Sequence, residues 1–240
     1  MASYKTALVT GAAGDIGSDV AKKLNTLGFR LILVDINERQ LSEVAQCLNN
    51  ATVIVCNLAD RDDLSNLIYD ISEKFGQIDI AFINAGIIYV GNILESNASE
   101  IDLQLEVNLR SAIHLIKGCA QNMAKYGSGH IISTVSMGGI ISLKGCATYS
   151  ASKFGLRGFM AGIRDELKPY GVDVSGIFPS GVDTKMLRYE AQNGGSSLNF
   201  VNTPQTVDAV GNTVLRALKS KRLEYYIPYS DGVSSRIISC

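Results

Sequence analysis

The sequence is poor in the residues that build disulfide frameworks and metal sites. Its 240 residues include no tryptophan, only two histidines, and five cysteines, an odd number. The cysteines, at positions 47, 56, 119, 146 and 240, are scattered and form no Cys-x-x-Cys pair. These counts argue against a disulfide-stabilised secreted fold and against a zinc site. We therefore expect reduced thiols and no bound metal.

An excess of charge of one sign is also missing. The formal net charge is -1 at pH 7, and no block of like charges occurs. A surface for nucleic acid or for anionic membranes is therefore not expected. No apolar run is long enough to span a membrane, and the chain enters a predicted strand by Thr6, leaving no room for a signal peptide. These absences predict a cytoplasmic protein without a membrane span.

The composition that remains, 46% hydrophobic and 19% charged, suits one large α/β domain over residues 1–240. Short apolar stretches alternate with stretches of helical periodicity. The predicted strands are 5–10, 30–34, 52–56, 78–83, 130–135, 172–177 and 223–228. The predicted helices are 18–27, 37–47, 60–75, 100–125, 147–167 and 207–220. This alternation predicts an α/β fold with a seven-stranded parallel sheet and helices on both faces.

A glycine-rich turn joins the first predicted strand to the first helix, from Gly11 to Gly17. Such a turn places backbone amides and the positive end of a helix near an anion, although it is also found as a plain tight loop. The second strand ends in Asp35, about 20 residues beyond the turn, where a dinucleotide site places an acid on a ribose hydroxyl. The alternative for Asp35 is a helix N-cap before Asn37.

The strongest catalytic candidate is the pair Tyr149 and Lys153 near the start of the helix predicted over 147–167. Residues four apart lie on one helix face. An ammonium about 4 Å from a phenol stabilises the phenolate by roughly 4 kcal/mol at an effective dielectric of about 20, before desolvation is subtracted. The pKa of Tyr149 would then approach the range of a general acid/base at neutral pH. The alternative is two exposed residues that share a helix face.

Further polar or small residues lie at or near the ends of other predicted strands. They are Asn57 and Leu58, Asn84-Ala85-Gly86, Ser136, and the turn from Pro179 to Thr184. Ligands of open α/β sheets bind beyond these strand ends. Asn108, in the middle of the predicted helix 100–125, is either a functional group or part of a solvated face. The segment 185–203 is predicted to be irregular and to form a substrate lid, and His114 and His130 are interpreted as surface or hydrogen-bonded residues.

These motifs resemble those of the short-chain dehydrogenase/reductase family from Lys5 to about Pro228. Thr10-Gly11 with Gly17 resembles its Thr-Gly-x-x-x-Gly-x-Gly turn, and Asn84-Ala85-Gly86 resembles its Asn-Ala-Gly motif. The resemblance implies a Rossmann-type doubly wound fold. It also implies a catalytic tetrad, Asn108, Ser136, Tyr149 and Lys153. The residues implied to bind the cofactor are Gly11, Gly14, Asp15, Ile16, Gly17, Asp35, Asn57, Leu58, Asn84, Ala85, Gly86, Tyr149, Lys153, Pro179, Val182 and Thr184.

Each member of the tetrad takes a role from the resemblance. Tyr149 is the acid/base, Ser136 holds the substrate oxygen, and Lys153 lowers the pKa of the tyrosine and holds the nicotinamide ribose. Asn108 positions a water that links the lysine to solvent.

The sequence departs from the family pattern at three positions. Asp15 replaces a glycine of the first turn, where it could cap the helix or weaken pyrophosphate binding. Asn57 stands where an aspartate usually contacts the adenine, and Ser180 replaces a glycine of the Pro-Gly-x-Val-x-Thr turn.

The resemblance implies an NAD(P)-dependent oxidoreductase that transfers a hydride between the cofactor and a secondary alcohol or ketone. Asp35 would repel the 2′-phosphate of NADP, so NAD is expected to be preferred. The predicted pocket wall is mostly apolar, which favours an apolar small-molecule substrate. The alternatives are a 3-oxoacyl-thioester reductase, a family member that catalyses epimerisation or dehydration, and a non-catalytic NAD-binding sensor or scaffold.

A homodimer or homotetramer is expected through the two long helices, as is common in the family. Gly155, Gly158 and Gly162 form a stripe that allows close approach of another backbone. The alternative is that this stripe packs on the protein's own sheet.

Overall fold

The computed structural model describes residues 5–228 and contains a seven-stranded, fully parallel sheet. The strand order is β3-β2-β1-β4-β5-β6-β7, so the chain runs outward from β1 to one edge and then from β4 to the other. The strands are β1 (Thr6–Thr10), β2 (Arg30–Asp35), β3 (Ala51–Val55), β4 (Ile80–Ile83), β5 (Gly129–Thr134), β6 (Val172–Pro179) and β7 (Glu224–Ile227). The predicted doubly wound α/β class is confirmed.

Helices cover both faces of the sheet. They are α1 (Asp15–Thr26), α2 (Glu38–Gln46), α3 (Arg61–Glu73), α4 (Ala98–Leu105), α5 (Ser111–Tyr126), α6 (Ala147–Leu167), α7 (Lys185–Gln192) and α8 (Val207–Ser220). None of the helices between residues 5 and 228 has a stretch long and apolar enough to cross a bilayer. In the same part of the chain, no three metal-binding side chains lie together.

Two apolar cores result, one on each side of the sheet. Helices α3, α5 and α6 pack on one side, where Leu8 and Ile32 of the central strands are fully buried. Helices α1, α2 and α8 pack on the other side against the alternating residues Ala7 and Leu31. Strands buried on both faces read as continuous apolar runs, as the sequence of β1 and β2 does.

The helix predicted over 100–125 begins earlier and is interrupted. It starts at Ala98, and a π-helical turn, Glu106–Arg110, separates α4 from α5. A π-helical turn is frequent at functional sites, and this one includes Asn108. Apolar residues recur at helical spacing on both sides of this turn, so the periodicity of the sequence gives no sign of it.

The prediction that 185–203 is irregular is wrong. The segment contains α7 and a short 3₁₀ helix, Ser197–Phe200. The hydroxyl of Thr184 accepts a hydrogen bond from the Leu187 N–H at 3.3 Å, and the carboxylate of Asp15 accepts one from the Lys185 N–H at 2.8 Å. The second of these caps comes from 170 residues away, so no local pattern could indicate it.

Two aspartates organise the start of α3. Asp60 is its N-cap and accepts hydrogen bonds from the N–H groups of Asp62 and Asp63. Asp63, however, does not return a bond to Asp60, because its carboxylate accepts one from the Asn57 N–H at 2.9 Å. The Asp60 N–H donates to the Asn57 carbonyl instead.

The glycine stripe on α6 is mostly uncovered. A Cβ at Gly155 would lie 3.0 Å from the Leu109 side chain, whereas one at Gly158 or Gly162 would meet no atom within 4 Å. The alternative that the stripe packs on the protein's own sheet is therefore wrong for Gly158 and Gly162.

Candidate active site

A cleft of about 410 Å³ lies beyond the carboxyl ends of β1, β4, β5 and β6, bounded on one side by α7. Most of the residues predicted from the sequence line it. They are Gly11, Gly14, Asp15, Ile16, Asp35, Asn84, Ala85, Gly86, Ser136, Tyr149, Lys153, Pro179, Val182 and Thr184. Gly17, Asn57, Leu58 and Asn108 are not in its lining.

The glycine-rich turn forms one end of the cleft and requires its glycines. Gly11 has a φ of +62°, and a Cβ there would lie 2.9 Å from the Cα of Ala85. A Cβ at Gly17 would lie 2.1 Å from the Gly11 carbonyl oxygen. The lack of a side chain at Gly17 therefore lets α1 pack closely against the Gly11 backbone. Gly17 faces this contact, which explains its absence from the cleft lining. Gly14 is the N-cap of α1 and offers no capping side chain, so the first amides of the helix are available to an anion.

Asp15 joins this turn to the segment on the opposite side of the cleft. It lies in the first turn of α1, but its carboxylate caps α7 through the Lys185 N–H rather than capping α1. The aspartate that replaces the usual glycine thus stabilises two helix amino termini, since it is an anion close to both.

Asp35 lies at the end of β2, in the cleft lining with Asn37 and Gln40. Its carboxylate accepts hydrogen bonds from the Ala13 N–H at 2.9 Å and from the Asn37 N–H at 3.0 Å. The N-cap of α2 is Asn37, whose side chain accepts from the Gln40 N–H, so the capping alternative for Asp35 is wrong. Each carboxylate oxygen keeps a lone pair for a ligand hydroxyl.

The hydroxyl of Thr10, to which the sequence analysis gave no role, holds the centre of the cleft together. Thr10 Oγ1 accepts hydrogen bonds from the N–H groups of Asn84 and Ala85, at 2.9 and 3.1 Å. Thr134 Oγ1 donates to Asn84 Oδ1 at 2.9 Å. The ends of β1, β4 and β5 are thereby fixed to one another.

Lys153 is a buried ammonium at the other end of the cleft. Its side chain is 4% exposed, and Nζ donates a hydrogen bond to the Thr134 carbonyl at 3.0 Å. Burial lowers the pKa of Lys153 to about 8. Nζ lies 5.6 Å from the centroid of the Tyr149 ring, so the two predicted residues are neighbours and neither is exposed. The alternative of two solvent-exposed helix residues is therefore wrong.

The electrostatic balance at Tyr149 differs from the expectation based on charge alone. Burial raises the pKa of Tyr149 above its ordinary value, and a side-chain hydrogen bond with Ser136 opposes this. The negative charge of Glu190 and the Cys146 thiol raise the pKa further. The expected lowering fails here because desolvation penalises the phenolate and also weakens the protonation of Lys153.

Ser136 faces Tyr149 from the end of β5, on a strained backbone. Its φ is +91°, a conformation that costs a residue with a Cβ about 1–3 kcal/mol and is concentrated at functional sites. Its hydroxyl also accepts a hydrogen bond from the Gly138 N–H at 3.1 Å.

Asn108 lies beneath the cleft and is 1% exposed, so the solvated-face alternative is wrong. Its amide bonds both the N–H and the carbonyl of Ile87 at 2.8 Å, and its Nδ2 also lies 3.3 Å from the Ser152 hydroxyl. A Cβ at Gly86 would lie 3.3 Å from Asn108 Oδ1 and 3.6 Å from Lys153 Nζ. Gly86 therefore allows Asn108 and Lys153 to approach the same backbone.

The remaining predicted residues lie at the margins. Asn57 Oδ1 accepts from the Ala59 N–H at 3.1 Å, which uses one of its two lone pairs. Leu58 is half-buried against the core. His114 is exposed and His130 is hydrogen-bonded to Ser175, with a pKa lowered to about 4 by burial, so the interpretation of both histidines is confirmed.

The sequence analysis missed Glu190 and Asn199, which line the cleft together with Tyr149, Leu143 and Met186. Both fall within the segment predicted to be irregular, where no face could be assigned. Helical spacing from the Thr184 cap was the one available signal, because it places Glu190 close to Leu187 and Met186.

Comparisons with known proteins agree with this architecture. A chain described as an uncharacterised oxidoreductase from Staphylococcus epidermidis is 31% identical over 222 residues, covering 88% of this chain and 96% of its own. A 3-oxoacyl-[acyl-carrier-protein] reductase of Rickettsia prowazekii is 33% identical over 183 residues, covering 76% of this chain and 74% of its own.

Two solved structures are similar in fold. A short-chain dehydrogenase from Sphingobium yanoikuyae in complex with NADPH has a TM-score of 0.85 at 23% identity and covers 98% of this chain and 95% of its own. A short-chain dehydrogenase/reductase from Burkholderia phymatum in complex with NAD has a TM-score of 0.85 at 21% identity. It covers 97% of this chain and 92% of its own.

The model of the family described as short chain dehydrogenase matches residues 5–194, well over half of the sequence. Together with the seven-stranded sheet and the cleft at its carboxyl edge, this match establishes that the chain belongs to the short-chain dehydrogenase/reductase family of oxidoreductases.

Proposed function

We propose that the protein is a nicotinamide-dependent oxidoreductase that interconverts a mostly apolar secondary alcohol and the corresponding ketone, with NAD preferred over NADP. The observation that carries this proposal is the convergence of Tyr149, Ser136 and Lys153 at one end of a cleft. The other end of the same cleft holds the glycine-rich turn and Asp35. A single ligand in the cleft could therefore contact both the acid/base groups and the anion-binding turn.

The residues present fit a dinucleotide. The glycine-rich turn lies directly against the Ala85 backbone because Gly11 has no Cβ, and the uncapped amides of α1 suit a pyrophosphate. Asp35 would accept the hydroxyls of the adenosine ribose, and Val182 and Thr184 would contact the carboxamide. When bound, the nicotinamide supplies the redox chemistry, and the protein supplies position and electrostatics.

The protein's own groups would handle the proton. Tyr149 exchanges a proton with the substrate oxygen, and the Ser136 hydroxyl holds that oxygen by a hydrogen bond. Lys153 holds the nicotinamide ribose and favours the phenolate when protonated. Asn108 holds Ile87 and, next to Gly86, lies close enough to Lys153 to position a relay water.

The pocket wall supports an apolar substrate. Ile88, Leu143, Cys146 and Tyr149 form a buried cluster against which Val90 and Met186 pack. A 3-oxoacyl-thioester reductase is a second candidate, favoured by the name of the Rickettsia relative, and it would use the same site residues. A non-catalytic sensor is disfavoured because Tyr149 and Lys153 are both retained.

We also propose that residues 1–240 form one domain in which 185–203 is a lid, and that the protein works in the cytoplasm. The four cysteines at 47, 56, 119 and 146 are free thiols, as a reducing compartment would keep them. We propose a homodimer or homotetramer through α5 and α6, whose outer groove is lined by Ile116, Phe159 and Ile163.

Replacing Tyr149 by phenylalanine should lower kcat for alcohol oxidation by about 10²–10⁴-fold, because a general acid/base is lost. NADH affinity measured by calorimetry should be unchanged, since the hydroxyl is expected to face the substrate. Phe154→Leu, at an exposed position of the same helix, serves as the control and should retain activity. Wild-type turnover by Tyr149→Phe would end the proposed mechanism.

Replacing Asp35 by alanine should narrow the preference for NAD over NADP by at least about tenfold in kcat/KM, because a charge facing the 2′-phosphate is removed. Asn37 and Gln40 follow it in the cleft lining and carry no cation. Steady-state kinetics with both cofactors measure the ratio. Equal kcat/KM for NAD and NADP in the wild type would contradict the proposal.

Replacing Lys153 by methionine should abolish activity yet increase stability at pH 7. Burial lowers the pKa of Lys153 from 10.5 to about 8, so the unfolded chain binds more protons between these values and stability rises with pH there. Below about pH 8 the buried charge costs about 3 kcal/mol, which methionine removes. Urea unfolding at pH 7 should show a higher free energy of unfolding for Lys153→Met than for the wild type, and this difference should be smaller at pH 10. Lys144→Met, at an exposed position, should show no such difference at either pH. A loss of stability at pH 7 would refute this account of Lys153.

Light scattering at micromolar concentration should give the mass of a dimer or tetramer, because the open surface at Gly158 and Gly162 permits close helix packing. Gly158→Arg should shift the mass toward the monomer without unfolding the chain, since a Cβ there would meet no other part of the subunit within 4 Å. A wild-type monomer at that concentration would count against the assembly.

A further inference from the structure

The substrate end of the cleft contains a buried carboxylate. Glu190, in the last turns of α7, is 6% exposed and lines the cleft together with Leu143, Tyr149 and Met186. Its charge acts on both Tyr149 and Cys146. An acidic side chain in an otherwise apolar wall needs a compensating partner, because burying an unpaired charge is costly.

The protein supplies only part of that compensation. The Asn199 side chain donates a hydrogen bond to Glu190 Oε2 at 2.8 Å. Among residues 5–228, no lysine, arginine or histidine forms an ion pair with Glu190, and no donor bonds its Oε1. Burial raises the pKa of Glu190, and the Asn199 bond only opposes this. Oε1 is not among the fully buried atoms without a partner, and Glu190 belongs to the lining of the cleft.

The backbone of Glu190 is held in place by the segment that follows α7. The Gly195 N–H donates to the Glu190 carbonyl at 2.8 Å, and the Asn193 N–H does so at 3.3 Å. A Cβ at Gly195 would lie 2.7 Å from the Cβ of Glu190, so the turn after α7 closes tightly on this residue. With its backbone fixed and its Oε2 bonded to Asn199, the side chain has less freedom to lose on binding, which favours a specific contact.

We propose that Glu190 Oε1 binds a protonated amine of the substrate. The substrate class is then a secondary alcohol, or the corresponding ketone, that carries an amine on an apolar skeleton. The inference rests on the proposed function and deepens it. Both an ammonium and a hydroxyl could donate a charge-assisted hydrogen bond to the carboxylate. An ammonium is favoured because it also neutralises a buried charge that has no cationic partner. The bound cation would also offset the negative charge that opposes ionisation of Tyr149.

Three isosteric alcohols test this inference, namely 5-aminopentan-2-ol, pentane-1,4-diol and hexan-2-ol, with chain length varied by one methylene in each series. The wild type should prefer the amine over the alkanol by at least about tenfold in kcat/KM, with the diol between them. Glu190→Gln should lower kcat/KM for the amine by at least about tenfold and should change kcat/KM for the alkanol by less than about threefold. The glutamine keeps an oxygen for Asn199, so only the charge is removed.

Asn199→Leu is the matched control. It removes the internal bond of the lid but leaves the carboxylate, so a merely structural role of Glu190 would make both variants affect all three alcohols alike. That outcome, or a wild type that favours hexan-2-ol, would overturn the inference.

Binding separates this inference from the proposed function. If no alcohol is oxidised with NAD or NADP, the proposed function fails. Calorimetric titration of the amine and of hexan-2-ol into the wild type with NADH still decides the inference, which falls if the alkanol binds as tightly as the amine.

Discussion

The buried ammonium of Lys153 is the group around which the active-site cleft is arranged. An unpaired buried charge is costly, so its surroundings must provide a fixed acceptor and close packing. The Thr134 carbonyl is that acceptor, and Thr134 is itself tied to β4 and, through Asn84, to the Thr10 end of β1. The lysine can hold its position only if these strand ends stay in register, which links the central sheet directly to the chemistry of the site.

Space near the lysine is limited, and small or strained residues provide it. Gly86 allows Asn108 and Lys153 to approach the same backbone, and a Cβ at Gly138 would lie 3.1 Å from the Tyr149 ring. Ser136 has a positive φ, and Asn108 lies in a π-helical turn. Strain of this kind is characteristic of functional sites, where the surrounding structure holds it. The strained backbone at Ser136 and Asn108 costs stability at this end of the sheet, and it allows these polar side chains to lie close to Tyr149 and Lys153, respectively.

The segment after β6 connects the two ends of the cleft. Asp15 caps α7 from the glycine-rich turn, and Glu190, five residues after the start of α7, lines the cleft together with Tyr149. A single short helix therefore has contacts with the residues expected at the cofactor phosphates and with those expected at the substrate. Ligand binding at either end of the cleft would therefore act on α7. At the glycine-rich turn, a bound anion at the amino terminus of α1 would lie close to the Asp15 carboxylate that caps α7.

Much of this protein could be predicted from its sequence, because apolar periodicity and glycine spacing are local. The alternation of strands and helices predicted the doubly wound sheet, and α6 and α8 occupy the predicted ranges 147–167 and 207–220. The sequence also predicted where the glycine turn, Asp35, Ser136, Tyr149 and Lys153 lie in the fold, because each is at a strand end or on a helix face. What the sequence could not give depends on contacts between distant segments. The Asp15–Lys185 cap that starts α7, the placement of Glu190 in the cleft, and the burial that raises the pKa of Tyr149 arise only when the chain is folded. Desolvation and long-range hydrogen bonds belong to the assembled structure, so the tertiary fold alone decided them.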